Sequence, residues 1–290
     1  MLAMFNIVVT GGSRGIGLAT ALELGRAGHQ VVATMRNPAG SPELCEQAVK
    51  ENLRIRIETM DVDSDESVKR AFGRILEQGP VDVLVNNAGI EGTGAIEETS
   101  LADFRTCMET NYFGAIRCIQ AVVGPMRERG SGAIINVTSV AGKISLSPFG
   151  PYCASKFALE ALSEVLAQEL QAFGVRVAIV EPGIIDTRMA RNIETMKRSK
   201  VYPQARRCAA MFAATLAAGA GHADVVGQKV REIVESQTCQ LRHPVGPDAE
   251  PFLAWRGAMN DEKWVGWGAQ SDSDWLKAAK ADFGMDLKLD

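Results

Sequence analysis

Apolar and polar residues follow one another along this chain in blocks that predict strands and helices in turn. The strand-like blocks are short, continuous and rich in β-branched residues, and they comprise residues 5–9, 29–35, 53–60, 81–89, 132–139 and 175–183. The blocks between them place apolar residues at helical spacing, over residues 15–27, 41–52, 64–78, 101–126 and 152–173. Continuous apolar strands are typical of a parallel sheet that is covered on both faces. The sequence therefore predicts an α/β fold with a doubly wound, Rossmann-type parallel sheet.

The pattern changes in the last third of the chain. Residues 184–221 contain no strand signal and are rich in Met and Arg. A helix over residues 223–235 and a last strand near residues 239–243 are predicted to follow. We therefore expect one domain over residues 1–245 and a C-terminal extension over residues 246–290, which contains all four Trp of the chain.

Composition and charge argue against several classes of protein. The net charge of −4 gives no basis for nucleic-acid binding through a basic surface. Six Cys are scattered without a C-x-x-C pair and there are three His, which argues against a metal site and a disulfide framework. The first twelve residues lack the basic segment of a signal peptide, and no apolar run reaches the ~20 residues of a membrane span. We expect a cytoplasmic protein without a membrane span, a bound metal or a nucleic-acid partner.

A glycine-rich segment, TGGSRGIG at residues 10–17, connects the first predicted strand to the first predicted helix. Glycines at such a junction allow a tight turn and let backbone N–H groups approach a pyrophosphate at the start of the helix. The segment therefore predicts a dinucleotide site. Its expected cofactor-binding residues are Gly11, Gly12, Ser13, Arg14, Gly15, Ile16 and Gly17.

The residues after the second predicted strand bear on the choice of cofactor. NAD-specific sites place a carboxylate there to bind the ribose 2′-hydroxyl, whereas this chain has Arg36 at that position and Arg14 inside the glycine-rich segment. Guanidinium groups bind a 2′-phosphate, which a carboxylate would repel. The alternative is that both arginines are solvated surface residues. We expect NADP(H) rather than NAD(H) as the cofactor.

Three polar residues are predicted to meet where the fifth strand ends and the next helix begins. Ser139 ends the strand, and Tyr152 and Lys156 lie one turn apart on one face of the helix. Reduction of a ketone needs a proton for the oxygen, and a neighbouring ammonium would lower the pKa of a tyrosine from its ordinary value of about 10. Ser139 would donate a hydrogen bond to the carbonyl oxygen. The alternatives are a strand-end cap for Ser139 and a surface position for Lys156.

Together these motifs resemble the single-domain short-chain dehydrogenase/reductase family over residues 5 to about 245. The resemblance rests on the G-x-x-x-G-x-G spacing, on NNAG at residues 86–89 and on the order of Ser139, Tyr152 and Lys156. The chain length, ATMRNP after the second strand and LRHPVG…DAE look like the hydroxysteroid and retinol dehydrogenase subgroup. The family implies further cofactor contacts at Asp61, Val62, Asn86, Ala88, Gly89, Tyr152, Lys156, Pro182, Gly183, Ile185 and Thr187. It also implies that Asn111 holds a water that links the lysine to solvent.

The resemblance implies an NADP(H)-dependent oxidoreductase that interconverts a hydrophobic ketone or aldehyde and its alcohol, with Tyr152 as the acid/base group. Residues 184–221 would cover the substrate, and their Met and Phe suit an apolar ligand. A homodimer or homotetramer would form through residues 101–126 and 152–173. We keep open a 3-oxoacyl-carrier reductase, a lyase or epimerase, and a non-catalytic NADP(H)-binding regulatory protein. The Trp-rich extension would fold over the substrate cleft, lie on a partner subunit or dock on its own domain.

Overall fold

A computed structural model describes residues 3–196 and 198–289 of the chain. Within those residues the strands are β1 (Asn6–Thr10), β2 (Gln30–Met35), β3 (Ile55–Thr59), β4 (Val83–Asn86), β5 (Gly132–Val137), β6 (Val175–Pro182), β7 (Ile185–Asp186), β8 (Gly221–His222) and β9 (Arg242–Val245). Seven of these described strands form one parallel sheet in the order β3-β2-β1-β4-β5-β6-β9, and β7 pairs with β8. The strand order reverses between β1 and β4, which is where sheets of this kind bind ligands.

Helices connect the strands and cover the sheet. In the same described residues they are α1 (Gly15–Arg26), α2 (Glu43–Lys50), α3 (Asp65–Leu76), α4 (Leu101–Met108), α5 (Gly114–Arg129), α6 (Gly150–Gln171), α7 (Arg188–Glu194), α8 (Gln204–Ala217), α9 (Ala223–Ser236), α10 (Ala249–Gly257), α11 (Asp261–Ala269) and α12 (Asp272–Phe283). Short 3-10 turns lie at Ile96–Glu98 and Val140–Gly142, and a π-helical turn lies at Glu109–Phe113. None of these described helices has the length and apolar character needed to cross a membrane.

Both faces of the sheet are buried under helices, as the residues of β1 illustrate. Ile7 and Val9 contribute to a core that is shared with α1 and α9. Val8, which points to the opposite face of the strand, contributes to a second core that is shared with α3, α5 and α6. All three side chains are 1 % exposed or less. A strand with both faces buried needs apolar residues at successive positions, and this accounts for the continuous apolar blocks in the sequence.

The predicted doubly wound parallel sheet is confirmed, and three local differences have physical explanations. Residues 101–126 are helical as predicted, but a π-helical turn lies between α4 and α5; one extra residue in a turn barely disturbs the apolar spacing. The last strand begins and ends later than the predicted residues 239–243 and includes Pro244, which an edge strand such as β9 tolerates. Residues 184–221 do contribute strand residues, but β7 and β8 have two residues each and are too short to show a pattern of apolar and polar positions.

The C-terminal extension folds into α10, α11 and α12 and packs on its own chain. Trp267 and Trp275 are 7 % and 2 % exposed, and they form an aromatic core with Met211 of α8. Leu146, from the loop that follows β5, packs against the same core. The four Trp residues therefore form one cluster, in which Trp267 and Trp275 are buried and Trp255 and Trp264 are partly exposed.

Candidate active site

A cavity of about 690 Å³ lies at the carboxyl ends of the sheet strands, where the strand order reverses. It extends from the glycine-rich segment after β1, past the ends of β4, β5 and β6, to aromatic residues of α10, α11 and α12. Open α/β sheets bind their ligands at this position. One continuous cavity thus joins the predicted dinucleotide site, the predicted catalytic groups and the C-terminal extension.

The glycine-rich segment packs directly on the segment that follows β4. Gly11 has a φ of +71°, and a Cβ at this position would lie 2.8 Å from the Cα of Ala88. The hydroxyl of Thr10 accepts hydrogen bonds from the backbone N–H groups of Asn87 and Ala88, each at 3.0 Å. Helix α1 begins at Gly15 without a hydrogen bond from a described side chain to its first turn. Its N–H groups therefore remain available to an anion such as a pyrophosphate.

Most of the residues predicted to bind the cofactor line the cavity. These are Gly11, Ser13, Arg14, Gly15, Ile16, Gly17, Arg36, Asp61, Val62, Ala88, Gly89, Tyr152, Lys156, Pro182, Gly183, Ile185 and Thr187. Asn86 and Gly12 do not line it. The Asn86 amide donates to Oδ1 of Asn136 at 2.9 Å inside the sheet, and the Gly12 N–H donates to the carbonyl of Thr34 at 3.0 Å. The cofactor contacts of Asn86 and Gly12 stay predictions, and in this structure the polar groups named above connect neighbouring segments of the sheet.

Cationic and polar side chains surround the end of the cavity beyond β2. Arg14, Arg36, Asn37 and Ser41 line it, and the residues from Arg36 to Ser41 include no carboxylate. In the described ranges, 3–196 and 198–289, neither Arg14 nor Arg36 has an ion-pair partner. Asp61, which follows β3, lines the cavity nearby. Two guanidinium groups that no carboxylate neutralises fit a phosphate on the ribose of a dinucleotide.

The side chains of Ser139, Tyr152 and Lys156 converge on the middle of the cavity. Ser139 follows β5, and its hydroxyl donates to the carbonyl of Pro182 at 3.3 Å. The ammonium of Lys156 donates to the carbonyl of Val137 at 2.9 Å and lies 5.7 Å from the centre of the Tyr152 ring. The end of β5 and the first turns of α6 therefore bring the three predicted catalytic side chains together.

Burial controls the protonation of two of these groups. It raises the pKa of the Tyr152 phenol above its ordinary 10.0, and a hydrogen bond with Ser139 opposes this with a smaller effect. Burial also lowers the pKa of Lys156 from 10.5 to about 8. The direction for Tyr152 is opposite to the one predicted from the Tyr–Lys pair, because removing the phenolate from water outweighs its hydrogen bond with Ser139. The phenol therefore stays protonated at neutral pH, which is the form that donates a proton.

Asn111 lies in the π-helical turn between α4 and α5 and is 1 % exposed. Its Oδ1 accepts a hydrogen bond from the Ile90 N–H at 2.8 Å, and its Nδ2 donates to the Ile90 carbonyl at 3.0 Å and the Ser155 hydroxyl at 2.9 Å. The side chain does not line the cavity. π-helical turns are frequent at functional sites. Through Asn111, this one connects the loop after β4 to α6 by hydrogen bonds. A proton relay through Asn111 stays a prediction.

Several residues that line the cavity were not selected from the sequence. They are Asn37 and Ser41 at the end beyond β2, Glu91 and Asn192 near the substrate-covering segment, and the aromatic residues Phe252, Trp255, Trp264, Trp267 and Phe283. The Glu91 carboxylate accepts a hydrogen bond from the Asn192 amide at 2.8 Å, which ties α7 to the loop after β4. The concentration of Trp in the last 45 residues was the one sequence signal for this wall of the cavity.

The apolar residues predicted from the substrate-covering segment are only partly in the cavity. Met189, Met211 and Phe212 line it, whereas Met196 packs beside Phe149 in a neighbouring cluster. In the part of the chain that the structure describes, no group of three or more His, Cys, Asp or Glu could hold a metal ion. The arrangement of side chains therefore suits an apolar organic ligand next to a dinucleotide.

Comparison with known proteins agrees with the fold. The family model described as short chain dehydrogenase matches residues 6–198, and the chain belongs to this family. An uncharacterized oxidoreductase, YusZ of Bacillus subtilis, is 32 % identical over 269 residues, which are 90 % of this chain and 94 % of that protein. Retinol dehydrogenase 8 of Homo sapiens is 42 % identical over 187 residues, which are 63 % of this chain and 59 % of that protein.

A solved structure of a similar protein contains a cofactor. It is a variant of actinorhodin polyketide ketoreductase with NADPH, with a TM-score of 0.73 and 28 % sequence identity. The match covers 84 % of this chain and 97 % of that one. The similar proteins thus include an oxidoreductase named for an alcohol and one named for a ketone.

Proposed function

We propose that this short-chain dehydrogenase is an NADP(H)-dependent oxidoreductase that interconverts a hydrophobic ketone or aldehyde and its alcohol. The convergence of Ser139, Tyr152 and Lys156 in one cavity with the glycine-rich segment carries the proposal. A proton donor, a hydroxyl and a cation thus lie beside a site whose backbone N–H groups suit a pyrophosphate. This is the set of groups that carbonyl reduction by a dinucleotide requires.

Each of these side chains has a separate task in the reduction. The bound cofactor supplies the hydride that forms the new C–H bond. Tyr152 donates its phenolic proton to the carbonyl oxygen as the C=O π bond breaks, and the new O–H bond forms there. Ser139 donates a hydrogen bond to the same oxygen and orients it. The ammonium of Lys156, which is held by the Val137 carbonyl, stabilises the phenolate that proton transfer leaves on Tyr152.

Arg14 and Arg36 support NADP(H) as the cofactor. Both line the end of the cavity where the adenosine ribose of a dinucleotide would lie, and no carboxylate follows β2 to bind a ribose hydroxyl. Guanidinium groups bind phosphate through paired N–H donors, whereas an NAD-specific site would offer an acid here. The similarity to a ketoreductase with NADPH supports the same choice.

The substrate end of the cavity supports an apolar carbonyl compound. Met211 and Phe212 of α8 and the aromatic residues of the C-terminal extension line this end, and the similarity to retinol dehydrogenase 8 points in the same direction. We propose that residues 184–221 and 246–290 both cover the substrate bound to the domain of residues 1–245. A 3-oxoacyl-carrier substrate is the second candidate, which the similarity to a polyketide ketoreductase favours.

The direct test measures the loss of NADPH absorbance with a panel of ketones and aldehydes that includes steroids and retinoids. We expect consumption with at least one apolar carbonyl compound and much slower consumption with NADH. NADPH binding without consumption by any member of the panel would instead indicate a regulatory protein. Conversion of an added compound without net consumption would indicate a lyase or an epimerase.

Exposed apolar residues on α4, the π-helical turn and α6 support a homodimer or homotetramer. These residues are Leu101, Phe113, Phe157 and Val165, which are 70 %, 44 %, 41 % and 51 % exposed. Burying such residues against a second copy would remove apolar surface from water. Light scattering of the purified protein tests the assembly, and a monomeric mass would exclude it.

A further inference from the structure

Five aromatic side chains of the C-terminal extension line the substrate end of the cavity. They are Phe252 and Trp255 of α10, Trp264 and Trp267 of α11, and Phe283 of α12; we call them the aromatic wall. All five lie beyond residue 198, where the match to the family model ends. The aromatic wall therefore consists of residues outside the segment that matches the family model.

The rings of the aromatic wall hold each other in fixed orientations. Trp255 meets Trp267 edge to face at 5.0 Å between ring centres, and it meets Phe283 in the same way at 4.8 Å. Trp264 and Trp267 are stacked at 5.7 Å with planes only 4° apart. Such ring pairs contribute free energy beyond that of the apolar area they bury, and each aromatic side chain has only two rotatable bonds. The wall is therefore a preformed aromatic surface in which each ring has a fixed orientation, whereas a surface of aliphatic side chains would be flexible.

Two polar contacts fix the aromatic wall relative to the catalytic groups. The carboxylate of Asp248, which precedes α10, accepts a hydrogen bond from the Ile184 N–H at 2.8 Å. A Cβ on Gly183 would lie 2.2 Å from this carboxylate, so the close approach requires glycine. At the other end, Arg207 of α8 pairs with Asp272 at 2.8 Å. The wall is thus fastened to the segment after β6 and to the helix that covers the substrate.

Further aromatic rings lead from the catalytic tyrosine toward the covering helix α8. Tyr152 lies 6.5 Å from Phe149, edge to face, and Phe149 lies 5.9 Å from Phe212 of α8. All three line the same cavity as the aromatic wall. A substrate whose carbonyl group reaches Tyr152 therefore extends among aromatic faces on both sides.

We propose that the aromatic wall binds the part of the substrate remote from the reacting carbonyl, and that it selects carbonyl compounds with a flat aromatic or fused-ring body over flexible aliphatic chains. This inference rests on the proposed oxidoreductase function. A rigid ring system meets the fixed rings at offset-stacked or edge-to-face geometry. An aliphatic chain of equal carbon number gains no such contact and loses rotational freedom when it is ordered.

The kinetic test compares two methyl ketones of equal carbon number, 2-acetonaphthone and 2-dodecanone, as substrates with NADPH. We expect kcat/KM to favour 2-acetonaphthone by about five-fold, since ring–ring contacts contribute about 1 kcal/mol beyond buried area. Trp255→Leu should abolish this preference mainly through KM for 2-acetonaphthone, and Trp255→Phe should keep it. Lys263→Ala, an exposed position on α11, should leave both ketones unaffected. A wild-type preference for 2-dodecanone, or an unchanged preference in Trp255→Leu, would overturn the proposal.

A binding measurement separates this proposal from the catalytic one. All four Trp of the chain lie in the extension and three belong to the aromatic wall, so Trp fluorescence reports directly on a ligand placed against it. In the presence of saturating NADP⁺, we expect 2-acetonaphthone to quench this fluorescence in a saturable manner. Free tryptophan serves to correct for absorption by the ketone. The Tyr152→Phe variant should show the same degree of quenching as the wild type. Quenching without turnover of any ketone would refute the oxidoreductase function and support the wall as a binding surface. Turnover without quenching would refute the wall. If Trp255→Leu fails to fold, Phe283→Leu replaces it with the same expected loss of preference.

Discussion

Lys156 and Tyr152 lie one turn apart on α6, and the ammonium of Lys156 is fixed 5.7 Å from the centre of the Tyr152 ring by its hydrogen bond to the Val137 carbonyl. Both side chains line the cavity at the end of β5. The carbonyl that fixes the lysine belongs to the last residue of that strand. The relative position of acid and cation is therefore set by the sheet rather than by a mobile loop.

Tyr152→Phe should abolish turnover and leave NADPH binding nearly intact. The variant removes only the hydroxyl that donates the proton, and loss of a general acid typically costs about 10²–10⁴ in rate. Activity is measured by NADPH absorbance and binding by NADPH fluorescence. Tyr112→Phe, outside the cavity lining, is the matched control and should keep full activity. A Tyr152→Phe variant with wild-type kcat would remove Tyr152 from the reaction.

Ketone reduction should decline above a pH of about 8. Burial lowers the pKa of Lys156 to about 8, so the ammonium is present below this pH and is lost as the pH rises through it. The pKa of Tyr152 is raised, so the phenol stays protonated over the same range. The pH profile of kcat/KM, which reports groups of the unliganded enzyme, checks this.

Two lysine variants make the pH test specific. Lys156→Arg keeps a cation at all accessible pH values, so its residual activity should show no decline near pH 8. Lys143→Met removes an exposed lysine from the turn after β5 and should keep the wild-type profile. A wild-type decline that begins only near the ordinary lysine pKa would show that burial does not control this group.

Arg36→Asp should weaken NADPH binding and shift the cofactor ratio toward NADH. The change removes a charge-assisted contact with the 2′-phosphate and adds repulsion, which together amount to about 10- to 100-fold in affinity. The kcat/KM ratio of NADPH to NADH is the measurement. Arg70→Asp makes the same charge change at an exposed position on α3 and should not alter the ratio. Equal ratios in Arg36→Asp and wild type would show that Arg36 does not contact the cofactor.

The parts of the site that could be predicted are those in which chain order dictates position. Gly11, Ser139 and Tyr152 follow strand ends of one parallel sheet, and parallel strands bring such ends to a common edge. Spacing therefore sufficed to predict that the glycine-rich segment, Ser139 and Tyr152 line one cavity. Spacing could not show whether Asn86 faces the cavity or the sheet interior, because that depends on which way the last residue of β4 points.

Burial and long-range packing account for what the sequence could not show. The pKa of Tyr152 depends on how much water surrounds the phenol, which the spacing to Lys156 does not contain. The aromatic wall depends on contacts such as that between Arg207 and Asp272, which are 65 positions apart in sequence. The concentration of Trp indicated a buried or interfacial cluster, but only these contacts determine which surface it meets.

Arg207→Met should loosen the C-terminal extension. Arg207 is 3 % exposed and donates to Asp272 at 2.9 Å and to the carbonyls of Gly268 and Gln270 at 3.3 and 2.8 Å. Losing these bonds should lower the free energy of unfolding by about 2–4 kcal/mol. Trp fluorescence should then respond to urea at lower concentration than circular dichroism does. Arg206→Met, a half-exposed partner of the same aspartate, should change stability by less than about 1 kcal/mol. Coincident unfolding curves in Arg207→Met would show that the extension is not held by this residue.

Glu181→Gln should stabilise the protein above neutral pH. Glu181 precedes Pro182 of the cavity and is 1 % exposed, and burial together with the nearby Glu160 raises its pKa from 4.5 to about 7. The native carboxyl therefore binds a proton that the unfolded chain releases between pH 4.5 and 7, and the free energy of unfolding falls as pH rises through this window. The loss is on the order of 3 kcal/mol. Glutamine cannot ionise, so the Tm of this variant should exceed that of wild type at pH 8 and approach it at pH 5.

Glu164→Gln on α6 supplies a control of opposite sign for Glu181→Gln on β6. Arg242 pairs with both Glu160 and Glu164, and its hydrogen bond lowers the pKa of the half-exposed Glu164. The stability from Glu164 is thus present above its ordinary pKa and lost as pH falls, so Glu164→Gln should be slightly less stable than wild type at pH 8. The difference should stay within about 1 kcal/mol, because the pair is exposed to solvent. If Glu181→Gln also lowers the Tm at pH 8, the buried carboxylate stabilises the segment before Pro182 instead of straining it.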